Sequence, residues 1–129
     1  FNAWLRIASN NPDVLFYAYT KSLRFWLHTE TPIPHNMVLT ASRGGRDDNL
    51  ISEHNLRESV VVYSEAEAAK LGLEIDHDDS HAADPTQRHR DFALLIHGTQ
   101  PKGSEAAEAL KQLKRNNVKH SYSRKAVTV

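Results

Sequence analysis

The chain has 129 residues, no cysteine, and 16 basic against 16 acidic side chains, which suits one domain with a genuine core. The missing thiols exclude disulfides, thiolate zinc sites and cysteine nucleophiles within these residues. Balanced charge gives no pull toward nucleic acid or an anionic membrane, and no apolar run nears the roughly 18 residues of a membrane span.

Phe1, Trp4, Leu5 and Ala8 recur at i, i+3, i+4 and i+7, which predicts an amphipathic helix ending before Pro12. The chain opens inside this helix and without Met. Residues 1–129 are therefore expected to be a single α/β domain from the C-terminal part of a longer protein. "VLFYAY" (Val14–Tyr19) predicts a buried strand, after which Thr20 can cap a short helix burying Leu23, Trp26 and Leu27. "MVLTAS" (Met37–Ser42) predicts the second strand, and "RGGRDDN" a loop leading to a helical turn in "LISEHNL".

"SVVVYS" (Ser59–Ser64) predicts the third strand. Ser64 and Glu67 form a capping-box pair for the next helix, which Gly72 closes. An Asp/His-rich loop fills residues 74–90, and "FALLIH" (Phe92–His97) predicts the fourth strand. "SEAAEALKQLKRNN" is helical, with Ala106, Leu110 and Leu113 on one face, and Val118–Ser121 predicts a last short strand. Continuous apolar strands alternating with helices imply a mainly parallel α/β sheet, either a half-barrel or a small open three-layer sheet. An uncovered edge of so small a sheet predicts a homodimer.

In such sheets ligands bind at the carboxyl ends of the strands. Lys21 follows the first strand, "SRGGRDD" (Ser42–Asp48) the second, and "HGTQPKGS" (His97–Ser104) the fourth. Ser42, Arg43, Gly44, Gly45 and Arg46, with Lys21, are the candidate ligands of a small anion, since guanidinium groups clamp phosphate or carboxylate. Asp47 and Asp48 would equally neutralise those arginines or cap the following turn. Gly103 and Ser104 lack the Lys of a Walker loop, so they offer an anion-binding turn or an ordinary helix cap. His97 ends an apolar strand and is the candidate general acid–base. Asp76, His77, Asp79 and His81 carry the carboxylate and imidazole groups that suit a divalent metal, although no specific ligand spacing is met. His77 and His81 would share a face if their segment were helical.

"NPDVLFYAYTKSL", "VLTASRGGRDDNLI" and "ALLIHG" resemble the phage gene-product-88 family, over most of the chain. The resemblance implies a phage-borne protein of the infected host's cytoplasm. Cysteines of the family invite comparison with radical S-adenosylmethionine half-barrels, in which Gly44 and Gly45 would match a Gly-Gly turn that helps bind the adenosylmethionine amino group. This chain holds no cysteine, so it offers no thiolate-ligated cluster, and Asp and His in the matching loop imply a changed or lost metal. Three readings follow. One is part of a metal-dependent α/β enzyme with an anionic ligand at the strand rim, another a phosphate- or nucleotide-binding module without catalysis, and the third a host-interaction protein.

Overall fold

A computed structural model describes residues 1–123. It contains five strands, β1 (Phe16–Thr20), β2 (Met37–Ser42), β3 (Glu58–Val62), β4 (Ile75–Asp76) and β5 (Phe92–Leu95), in the sheet order β1-β2-β3-β5-β4. The pairs β1–β2, β2–β3 and β4–β5 are parallel. The predicted α/β alternation holds, with β4 as a fifth strand inside the Asp/His-rich loop. Two compact units divide the chain: Phe1–Ser59 with Ser80–Asp91, and Val60–Asp79 with the described residues from Phe92 onward. Among the described residues no helix is long and apolar enough to cross a membrane.

In the first unit, β2 is buried over Met37–Ala41, as a strand covered on both faces must be. Met37 and Leu39 pack on Leu5 and Ala8 of helix α1 (Asn2–Asn10). Ala41 packs on Leu23 of α2 (Leu23–Leu27) and Ile51 of α3 (Asn49–Glu53). The predicted stripe of α1 is divided, because Leu5 and Ala8 are buried while Trp4 is 62% exposed. Trp4 and Phe1 instead wall a groove of about 200 Å³ with Phe16, Tyr17 and Met37. β1 is likewise less buried than its sequence implies: Val14 and Leu15 lie outside the strand and are exposed, as is Tyr17. β1 stands at the end of the strand order, so it has a sheet neighbour on one side only. The Asn36 amide closes this region by donating to Ala8 O, Asn11 O and Val14 O, at 2.9, 3.0 and 2.9 Å. Thr20 does not cap α2; its Oγ1 accepts from Ser22 N at 2.9 Å, and the helix begins at Leu23.

Residues 80–91 complete this unit through helix α5 (Ser80–Ala83) and a 3-10 turn (Pro85–Gln87). Arg57, only 6% exposed, gathers their carbonyls. Its Nη1 donates to His81 O and Gln87 O at 3.1 and 3.2 Å, and Nη2 to Ala82 O at 3.3 Å. A short helix leaves its last carbonyls without internal partners, and the Arg57 fork supplies them.

The second unit is built on one apolar cluster in which Val62, Ala93, Leu95 and Ile96 meet Ala68 of α4 (Glu65–Leu71) and Leu110 and Leu113 of α6 (Glu105–Arg115). Ser64 caps α4 as expected, its Oγ accepting from Glu67 N at 3.1 Å, but the return bond of the predicted box goes one residue further back, Glu67 Oε2 accepting from Tyr63 N at 2.8 Å. β4 is short for a specific reason. Ala93 N donates to Glu74 O at 2.8 Å in the ordinary ladder. At the next rung the Ser121 hydroxyl intervenes, accepting from Leu95 N at 2.9 Å and donating to Asp76 O at 2.5 Å. The strand predicted at Val118–Ser121 is therefore absent. Those residues form a connection and a turn whose hydroxyl takes the place of a backbone rung.

Candidate functional site

At the carboxyl ends of β1 and β2, Lys21 reaches across to the loop that follows β2. Its Nζ donates to Ser42 O, Ser42 Oγ and Arg43 O at 3.2, 3.1 and 2.8 Å, which occupies all three ammonium donors. The glycine pair makes room for this crossing. A Cβ on Gly44, whose φ is +105°, would lie 3.3 Å from Lys21 Nζ, and one on Gly45 would lie 3.1 Å from Lys21 Cβ. The two glycine N–H groups form an anion-binding concavity, and the chain's own Asp48 fills it. Asp48 Oδ1 accepts from Gly45 N at 2.9 Å, and both its oxygens accept from Gly44 N at 3.1 and 3.0 Å.

These bonds hold the Asp48 carboxyl below its usual range. Gly45 N–H is the largest cause; Gly44 N–H, Arg43 and Lys21 add to it, and burial opposes it. A depressed folded-state pKa contributes stability that is complete above the unfolded value and is lost as the pH falls through the folded one. Stability should therefore decline from about pH 4 downward, and Asp48→Asn should make that decline shallower. Urea unfolding between pH 6 and pH 2 measures the slope; equal slopes in both proteins would show that the carboxylate is not engaged.

The two arginines of the loop part company. Arg43 is committed to Glu58, with Nε and Nη2 at 2.8 and 2.7 Å from Oε2. Arg46 is exposed and makes no hydrogen bond or ion pair among the described residues. Asp47 pairs with neither; it takes a two-point contact from Arg24, Nε–Oδ2 at 2.9 Å and Nη2–Oδ1 at 2.5 Å. Hydrogen bonding to Arg24 is the main reason the Asp47 carboxyl lies below its usual range, and Arg46 lowers it a little further. A groove of about 400 Å³ opens beside these groups, lined by Lys21, Ser22, Arg24, Phe25, Gly45, Arg46 and Asp47. Three cationic side chains face one carboxylate there. The sequence pointed to Lys21, Gly45 and Arg46; Arg24 and Phe25 lie in α2, where helical spacing says only that they are off the apolar face.

His97 lies in the second unit, just beyond β5. Its Nδ1 is 3.2 Å from Leu95 O. A carbonyl only accepts, so Nδ1 is the donor in this contact. The ring stands edge-on to Tyr122, with centroids 4.7 Å apart. Tyr122 OH donates to Asp79 Oδ1, and both residues have positive φ. Sequence reasoning missed Ser121 and Tyr122, which carry no local signal. Ser104 caps α6: its Oγ accepts from Ala107 N at 3.1 Å and donates to Pro101 O at 2.6 Å, following Gly103 at φ +79°.

The four residues expected to hold a metal fall on different elements. Asp76 ends β4 fully buried, with Oδ1 accepting from Asp78 N at 3.1 Å. His77 and Asp79 belong to the turn after it, and His81 to α5. The helix starts only at Ser80, so His77 and His81 share no helical face. His77 Nδ1 is a buried atom without a hydrogen-bond partner among the described residues. Among the described residues no group of three or more His, Asp or Glu side chains comes together as a metal ion requires.

No curated protein and no solved structure matched the chain. A family model described as gene product 88 matches residues 1–119, nearly the whole of the described chain including β1 to β5 and the loop after β2. The chain belongs to the gene product 88 family.

Proposed function

We propose that this protein binds a small anionic ligand in the groove at the carboxyl ends of β1 and β2, through the guanidinium of Arg46. The observation that carries this reading is the commitment of every neighbouring charge except that one. Lys21 is spent on Ser42 and Arg43, Arg43 on Glu58, Arg24 on Asp47, and Asp48 on the glycine amides. Arg46 is left facing a groove whose lining carries more positive than negative charge. The fixed groups set the field and the loop shape before any ligand arrives, which reduces the ordering cost of binding. Family membership supports a phage setting for this activity.

Isothermal titration with pyrophosphate tests the reading. Arg46→Ala should weaken binding at least about tenfold, the scale of one charge-assisted contact, with an unchanged melting temperature because the side chain is exposed. Arg43→Ala should instead lower the melting temperature and leave affinity close to wild type. Wild-type protein that takes up no pyrophosphate, or an Arg46→Ala variant that binds it equally well, would refute the proposal.

A further inference from the structure

Resting on that anion-binding reading, we infer that the ligand is a nucleotide, with its base stacked on Phe25 and its phosphates on Arg46. Phe25 is 58% exposed. It sits on the same short helix whose Leu23 is buried, and it takes no part in the apolar clusters that Leu23 and Trp26 join. Its ring therefore does not serve the core. It lines the groove beside Lys21, Arg24 and Arg46. An exposed aromatic ring next to cations at the end of a parallel sheet is the pairing that nucleotides call for: a π-face for the base and positive charge for the phosphates.

Two further observations fit this class better than a bare inorganic anion. The groove holds about 400 Å³, within the roughly 300–1,000 Å³ of small-molecule sites and more than one phosphate would fill. Ser22 also lines it, and although Ser22 stands at the start of α2, its hydroxyl makes no capping bond. That leaves the hydroxyl available to a sugar oxygen of the ligand.

The experiment compares ATP with inorganic tripolyphosphate, both without added metal, on wild type, Phe25→Ala, Phe25→Trp and Arg46→Ala by isothermal titration. Stacking of one base contributes about tenfold or more in affinity. Wild type should bind ATP at least about tenfold more tightly than tripolyphosphate. Phe25→Ala should erase that difference without changing tripolyphosphate affinity, Phe25→Trp should keep it, and Arg46→Ala should weaken both ligands. Equal affinity for the two ligands in wild type would overturn the nucleotide assignment and leave the anion groove standing. So would a parallel loss of both ligands in Phe25→Ala. Binding of neither ligand by wild type would remove the anion groove and the nucleotide together.

Discussion

Arg57→Met should lower the unfolding free energy by about 3–5 kcal/mol, a large part of the roughly 5–15 kcal/mol that holds a domain of this kind folded. Methionine fills much of the same volume but donates nothing, so the carbonyls of His81, Ala82 and Gln87 lose the fork that now satisfies them. Hydrogen bonds involving a charged group contribute about 1.5–3 kcal/mol each, net of the bonds to water they replace. Arg57 is almost fully buried, so little water stands ready to take over. The helix and 3-10 turn over residues 80–87 span too few residues to persist in isolation, and their amides should exchange with solvent much faster in the variant. Arg57→Lys should recover only part of the loss, because a point charge cannot reach three separated carbonyls as a planar fork does. Urea unfolding of the three proteins decides the matter. Arg57→Met within about 0.5 kcal/mol of wild type would mean that these bonds contribute nothing net.

The second large effect is expected at Ser121. Its hydroxyl stands between Leu95 N and Asp76 O where the β4–β5 ladder would otherwise close, and the residue is fully buried. Ser121→Ala leaves one buried donor and one buried acceptor unpaired, each costing about 1–3 kcal/mol, for a total of about 2–6 kcal/mol. β4 and β5 could close the rung directly only by expelling the turn that also carries Tyr122, which donates from its backbone to His77 O at 2.7 Å. The predicted signature is a lower urea midpoint together with faster exchange of the Leu95 amide. Tyr122→Phe is the control: it removes an exposed hydroxyl that donates to Asp79 and should change stability far less. An Ala variant with wild-type stability and a protected Leu95 amide would show that the ladder closes without the hydroxyl.

The loop after β2 shows how a sequence can mark a site and still leave its wiring open. "SRGGRDD" announced paired glycines, two guanidiniums and two carboxylates at a strand end. Their partners lie elsewhere in the chain: Arg43 takes Glu58, Asp47 takes Arg24, and the glycines owe their smallness to Lys21. Exchanging Glu58 would leave the local pattern intact and still release Arg43 from its partner.

By itself the sequence determined what depends on neighbours along the chain. The apolar run of β2, the Ser64 cap of α4 and the stripe of α6 appear where their residues put them, since strand burial, caps and helical faces are set within a few residues. Tertiary structure alone decided the rest. β4 exists because residues 74–76 meet β5, and it ends because a serine 45 residues away enters the ladder. Trp4 and Tyr17 are exposed because they wall an open groove instead of joining the core. Arg57, ordinary in sequence, is buried because carbonyls 24 to 30 residues further on converge on it. A hydrogen bond or ion pair between distant segments depends on where the fold sets its two ends, and no local pattern records that distance.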